Sequence, residues 1–254
     1  MRNSVDRFST RVEDYAKFRP GYPLEILELL KRECGLKPTS IVADIGSGTG
    51  ILTELFLKND NKVQGVEPNP IMRNTAERLL SSYSSFISVA GSAEHTTLES
   101  HSVDFITAAQ AFHWFTRDEA KIEFARILKP SGWVVLLWNE RRTNSTPFLR
   151  DYEQLLLRFG TDYQQVRHEN VKGEIESFFA PISPKAAHFD NVQLFDYQGL
   201  EGRSRSASYT PERDDPNFEP MYRALWEIFA IHAKEGLVAL EYDTWVHYGH
   251  FPEI

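Results

Sequence analysis

The 254-residue sequence has a single cysteine, Cys34, so it cannot form a disulfide within itself. It also has no surplus of positive charge: 28 Lys and Arg stand against 36 Asp and Glu, for a formal net charge of -8. A surface that follows phosphates needs clustered cations, so nucleic-acid binding is not expected. Long apolar runs are missing too. The strongest, "WVVLLW" from Trp133 to Trp138, falls far short of the roughly 20 residues of a spanning helix, and no membrane association is expected. The opening "MRNSVDRFST" lacks the apolar centre of a secretory leader, which with the scarcity of cysteine suggests a cytoplasmic compartment. Neither internal repeats nor low-complexity segments are visible. With 41% hydrophobic residues the chain can bury a full core, and one domain with inserted cover is expected.

Between Ser40 and Asn139, short β-branched runs alternate with amphipathic stretches, as in parallel strands joined by crossover helices. "SIVADI", "KVQGVE", "SFISVA", "SVDFITAAQA" and "WVVLLWN" are the expected strands, with "KPSG" as punctuation before the last. Ile51, Leu52, Leu55 and Phe56 share one helical face. Asn69 and Pro70 suit the cap and first turn of a helix carrying Ile71, Met72, Ala76, Leu79 and Leu80. Thr116 and Glu119 suit a capping box ahead of Ala120, Phe124, Ile127 and Leu128. Beyond residue 139, helical patterns near Pro147 to Phe159, Glu174 to Phe179 and Phe218 to His232 flank a polar linker, "QGLEGRSRSASYTPERDDP". The final "LVALEYDTWVHY" alternates as a strand and is expected to add an antiparallel edge. The fold class is thus α/β: a Rossmann-like, doubly wound, mostly parallel sheet with an antiparallel edge. Residues 40–139 form its core, and residues 1–39 and 140–254 its helical and loop cover.

The first strand runs into "IGSGTGI", where Gly46, Gly48 and Gly50 let the backbone approach a ligand closely and the next helix offers free N–H groups. A dinucleotide fingerprint would require glycine at 51, which is Ile51. Asp44, two residues ahead of the first glycine, would repel a phosphate and suits a cationic amino group. Glu67, closing the second strand, can accept from both hydroxyls of a ribose. Adenosine with a positively charged tail fits these demands better than NAD.

"VADIGSGTG" followed by "VQGVEPN", "GSAE", "SVDFITAAQAFHWF" and "LKPSGWVVLLWN" resembles the class I S-adenosylmethionine-dependent methyltransferases, of the methyltransferase type 11-like kind. "YAKFRPGYP", "SRSASYTP" and "LEYDTWVHYG" extend the likeness toward a trans-aconitate methyltransferase-like subgroup. The resemblance implies S-adenosyl-L-methionine as cofactor. It implies that Asp44, Gly46, Ser47, Gly48 and Gly50 hold the methionine portion, Glu67 the ribose, and Pro68 and Met72 the adenine. Ser92 stands where the family usually has Asp at the adenine amine, Ala93 offers its N–H, and Gln110 and Ala111 lie near the reactive methyl. Tyr15 and Arg19, four residues apart ahead of Pro20, would fold over the cofactor, Arg19 toward the methionine carboxylate; a simple packing helix is the other reading.

Methyl transfer from a sulfonium relies on alignment and exclusion of water, with a base needed for a phenol or alcohol and hardly for a carboxylate. His113 is the candidate base or, equally, a wall residue beside Trp114. Trp114, Arg141, Arg142, Arg203 and Arg205 are the candidate substrate contacts; the arginines could grip an acidic substrate, or be solvated surface cations. No metal-ligand spacing is evident. The expected activity is methylation of a small molecule, with O-methylation of a carboxylate in view; the alternatives are a protein or RNA acceptor, or a cofactor-binding regulator without transfer.

Overall fold

The computed structural model describes residues 11–163 and 171–251; the opening decapeptide, on which the expectation about a leader rests, lies outside the described residues. Strands β1 (Ile41–Ile45), β2 (Lys62–Val66), β3 (Phe86–Val89), β4 (Val103–Ala109), β5 (Leu128–Arg141), β6 (Lys185–Phe195) and β7 (Val238–His250) make one sheet in the order β3-β2-β1-β4-β5-β7-β6. The pairs among β1 to β5 are parallel, and β7 runs antiparallel to both β5 and β6. The chain leaves β1 toward β2 and later returns to β1's other side as β4. That reversal opens a crevice at the carboxyl ends of β1 and β4, where ligands of such sheets gather.

Helices α1 (Val12–Phe18), α2 (Glu25–Cys34), α3 (Ile51–Leu57), α4 (Pro70–Leu79), α5 (Arg117–Ile127), α6 (Pro147–Phe159), α7 (Val171–Phe179), α8 (Tyr197–Arg205) and α9 (Phe218–His232) complete the described fold. Strands buried on both faces explain the near-continuous apolar runs. Ile45, Ile106 and Leu136 pack with Phe112, Phe124 and Phe178 on one face. Val42, Val63 and Leu137 pack with Leu30 and Phe56 on the other. A further cluster, including Leu149, Leu200, Leu225 and Tyr242, lies beneath the cover.

Local chemistry sets several element starts. The Asn69 side chain accepts from the N–H groups of Ile71 (2.9 Å) and Met72 (3.3 Å), with Pro70 opening α4. Asp196 caps α8 by accepting from Gly199 N at 2.8 Å. That cap makes a helix of the first half of the stretch expected to be polar linker. Four other expectations change. Thr116 does precede α5, but its side chain makes no cap bond, and its N–H donates to Glu94 at 2.7 Å, so none is left for Glu119 to receive. "KPSG" lies inside β5, whose irregularity is absorbed by Ser131 at φ 63 and a register shift against β4. The closing strand β7 sits one place in from the edge, because the weakly alternating "KAAHFDNVQLF" forms β6 outside it. On α4, Ile71 and Leu79 are exposed while Met72, Ala76 and Leu80 are buried, so its apolar stripe is narrower than expected.

Candidate active site

A cleft of about 1360 Å³ lies over the carboxyl ends of β1, β2, β4 and β5. Its floor is the turn between β1 and α3. Gly46, Gly48 and Gly50 all have positive φ, a conformation L side chains rarely adopt. Gly46 is also sterically required, since a Cβ there would lie 2.6 Å from the Cβ of Ala111. Gly48 faces the cleft, where an added Cβ would point into open space with only the Met72 sulfur at 4.0 Å. Ser47 and Gly50 do not line the cleft: Ser47 packs against Gly65 of β2, and Gly50 against Leu80.

Asp44 is also behind the cleft wall rather than in it, only 1% exposed. Its two oxygens accept from the hydroxyls of Thr53 (2.6 Å) and Thr107 (3.0 Å), tying β1 to α3 and β4. Burial pushes its carboxyl up to about 6; the two hydroxyl bonds work the other way, and Glu67 adds to the rise. Glu67 does line the cleft. It accepts from Gly48 N at 2.9 Å and Asn69 N at 2.8 Å, bridging the glycine turn to the start of α4. Burial raises its pKa against those two backbone bonds.

Pro68, Met72, Ser92 and Ala93 line the same side of the cleft. The Ser92 hydroxyl accepts from His95 N at 3.3 Å in a local turn. A residue that sequence reasoning missed fixes this loop: Glu123 accepts from Thr96 N (2.8 Å) and Thr96 Oγ1 (2.5 Å), and pairs with Arg126. No local motif announces this contact across 27 residues. At the end of β4, Gln110 is held at φ 55, donating its N–H to Leu137 O (3.0 Å) and its side-chain amide to Asn139 O (2.9 Å). Backbone conformations of this kind cluster at ligand sites. Ala111, His113 and Trp114 follow along the cleft wall, with Trp114 41% exposed.

The cover comes from both ends of the chain. Arg19, just past α1, lies over the Tyr15 ring at 4.8 Å and donates through Nη2 to Ser206 O at 2.8 Å. Its Nε is buried without a hydrogen-bond partner. Burial and the neighbouring Arg203 both lower its pKa. Asn139 stitches the cover down: its side chain donates to Gly21 O (3.1 Å) and accepts from Thr244 (2.5 Å) and Asn191 (3.2 Å).

The four arginines are separated by their partners. Arg141, Arg142 and Arg203 line the cleft, and Arg205 does not. Arg141 pairs with Glu153 at 2.5 Å and donates to Tyr163 at 2.9 Å. Arg142 pairs with Asp243 and Asp190. Arg205 pairs with Asp14 (3.1 Å) and Glu201 (3.0 Å) at the contact between α1 and α8. Arg203, 5% exposed, meets the Tyr242 hydroxyl at 3.2 Å and the Ser206 hydroxyl at 3.4 Å, and has no carboxylate partner among the described residues. Tyr242, Trp138, Trp245 and His247 also line the cleft and were not singled out in the sequence, although three of them lie in "LEYDTWVHYG".

Among the described residues no group of three His, Cys, Asp or Glu is placed to hold a metal ion, and no helix is long and apolar enough to cross a membrane. The residues present do fit S-adenosylmethionine. Gly48 leaves a cradle that a side chain would fill, the Glu67 carboxylate lines the cleft, and Arg19 is a buried cation with an orphaned donor.

Residues 43–136 match the family model for a methyltransferase domain. An uncharacterized methyltransferase-like protein of Schizosaccharomyces pombe is 35% identical over 61% of this chain and 59% of its own length. The chain thus matches somewhat more than half the length of that relative. A candidate methyltransferase of Dictyostelium discoideum is 26% identical over 91% of this chain and 80% of its own. Among solved structures, a candidate type II methyltransferase from Anaeromyxobacter dehalogenans shares the fold, with TM-score 0.66 at 19% identity over 92% of this chain and 99% of its own. Residues 43–136 are thus similar to a methyltransferase domain, and the whole chain shares its fold with solved methyltransferase structures.

Proposed function

We propose that the protein transfers a methyl group to a small carboxylic acid. The observation that carries this reading is a single cleft that joins the glycine turn and Glu67 to buried arginines. At about 1360 Å³ it exceeds the roughly 300–1,000 Å³ of a typical single-ligand pocket, so a cofactor and an acceptor fit together. Tyr15 and Arg19 close over the methionine end, Glu67 takes the ribose hydroxyls, and Pro68, Met72 and Ala93 flank the adenine. S-adenosylmethionine, when bound, supplies a methyl on a sulfonium, so the methyl carbon passes to an acceptor oxygen while the bonding pair stays on sulfur.

The chain's own part is to align and to exclude water. Gln110, held at φ 55 by two bonds to β5, fixes the wall near the reacting centre. A carboxylate is ionised at neutral pH and needs no base, so His113 serves as wall beside Trp114, the ring centroids 4.7 Å apart. The relatives' names give the reaction class and say nothing of the acceptor.

The test is incubation with methyl-labelled S-adenosylmethionine and a metabolite extract, followed by mild alkali. Label recovered as methanol from a small-molecule fraction supports a methyl ester. Label confined to protein or RNA, or stable to alkali, contradicts the carboxylate acceptor, and no transfer to any fraction would favour a cofactor-binding regulator.

A further inference from the structure

We infer that the part of the acceptor that does not react is an uncharged aromatic ring, seated on one face of the sheet against Trp138, Trp245 and His247. This rests on the reading above that one cleft takes cofactor and acceptor together, and it adds which side of the cleft the acceptor occupies.

Strand alternation divides the cleft lining into two halves of different chemistry. Arg141 of β5 and its ladder partner Tyr242 of β7 share the face covered by α6 and α8, where they meet Glu153 and Arg203. Arg19 reaches this half too, through Ser206 of the α8 end. Trp138 and its ladder partner Trp245 lie on the opposite face, with His247 two residues further along β7. Phe112 meets Trp138 edge-on there at 6.1 Å, and Ile175 of α7 packs in the same cluster and lines the cleft. One half is built of guanidiniums and phenols, the other of indoles, imidazole and hydrocarbon.

The cofactor decides which half is free. Its methionine carboxylate belongs with Arg19, in the first half, which leaves the second to the acceptor. The two halves meet at the end of β4. Gln110 donates to Asn139 O, the residue after Trp138, so a ring against Trp138 leaves its reacting group beside the turn where the methyl is expected.

The aromatic half is preformed and incompletely covered. Trp245 is stacked on His247 at 22° between ring planes, and on its other neighbour, His188 of β6, at 33° with centroids 4.9 Å apart. His247 in turn meets Trp138 at 77°. Along β7 the alternate residues from Ala239 to His247 are only partly buried, while those between them are buried, so among the described residues no element seals this face. Fixed rings that present both planes and edges favour an aromatic guest over a saturated one. The next cross-strand row is charged: Glu140, Asp243 and Asp190 stand in register, and Arg142 pairs with the two aspartates. That row begins two residues away, roughly 7 Å along the strands, which confines the seat to a compact ring. An ion-paired rim beside an aromatic floor suits a ring without charge of its own.

The test uses the full chain, labelled with 5-fluorotryptophan and saturated with S-adenosylhomocysteine. Phenylacetate and 1-naphthylacetate are compared with cyclohexylacetate by calorimetry and by fluorine NMR, the resonances being assigned through single tryptophan-to-phenylalanine variants. The aromatic acids are expected to bind about 3-fold or more tighter than the saturated one. They should shift the Trp138 and Trp245 resonances and leave those of Trp133, on the opposite face of β5, and Trp226, on α9, in place. Trp245→Ala should lose the aromatic preference with S-adenosylhomocysteine affinity unchanged, which also shows that the variant folds. Absence of any aromatic preference overturns this inference alone, as do shifts at Trp133 or Trp226 without shifts at Trp138 and Trp245. So does a Trp245→Ala variant that keeps the preference, or one that loses S-adenosylhomocysteine and so assigns Trp245 to the cofactor. Failure of the unaltered protein to bind S-adenosylhomocysteine overturns the underlying reading as well.

Discussion

Arg19 and Arg203, from opposite ends of the chain, donate to the same residue: Arg19 Nη2 to Ser206 O at 2.8 Å and Arg203 Nη1 to Ser206 Oγ at 3.4 Å. Two guanidiniums so close repel one another, and burial compounds the cost. An anion between them relieves both. Arg19→Met is therefore expected to weaken S-adenosylhomocysteine binding by about 1.5–3 kcal/mol, the scale of a charged hydrogen bond, without lowering the melting temperature of the free protein. Equal loss of binding and of thermal stability would instead mean that Arg19 is a packing residue.

The Glu67 carboxylate lines the cleft and also accepts from Gly48 N and Asn69 N, so the ribose-binding role proposed for it would come on top of a structural one. Glu67→Ala is expected to weaken cofactor binding by roughly 1–3 kcal/mol and to loosen the glycine turn. Glu67→Gln, which can still accept from one of the two N–H groups, should lose less. Calorimetry with circular dichroism checks both; an unchanged dissociation constant in folded Glu67→Ala would contradict the role.

Asp44 makes the molecule sensitive to mildly acidic pH. Its folded pKa, near 6, lies above the usual 3.8, so the unfolded chain releases this proton first as pH rises. Between about pH 4 and 6 the native state then loses stability relative to an Asp44→Asn variant, by up to about 2–3 kcal/mol. Denaturant melts of both proteins across that window should diverge in this sense. A cationic ligand favours the ionised carboxylate, so S-adenosylmethionine affinity should fall as pH is lowered through about 6. A flat difference curve would show that Asp44 is not perturbed.

Glu123 behaves in the opposite way. Burial works against its carboxylate, but Arg126 and Thr96 outweigh it and bring the pKa down to about 2. Its contribution is complete above the ordinary pKa of 4.5 and is lost as pH falls toward 2. Arg126 is partly exposed, so solvent screening reduces the effect, and Glu123→Gln should cost about 1–3 kcal/mol at neutral pH. The difference from the unaltered protein should close in acid. Because Glu123 anchors the loop after Ser92 and Ala93, the same variant should bind the cofactor more weakly.

What could be read in the sequence was what local chemistry determines. "IVADIGSGTG" announced its strand, turn and helix because only glycine accommodates that backbone, and Asn69-Pro70 announced α4 through its cap. Glu67 stood out as an acid closing a strand. What could not be read depends on partners far away in the chain. Nothing near Asp44 says that Thr53 and Thr107 will occupy its oxygens and withdraw it from the cleft wall. Thr116 looked like half of a capping box until Glu94 took its N–H. The four arginines were equivalent as letters, and only their folded partners separate Arg203 from the rest.

The most direct measurement is calorimetric titration of the protein, and of its Gly48→Val variant, with S-adenosylmethionine and with NAD. Gly48 sits at φ +57 facing the cleft, so a β-branched side chain there strains the turn and fills the ligand's approach. The expected outcome is saturable 1:1 binding of S-adenosylmethionine by the unaltered protein, no binding of NAD, and loss of binding in Gly48→Val with the fold intact. Saturable binding of NAD in place of S-adenosylmethionine, or full affinity retained by Gly48→Val, would contradict the assignment of this cleft.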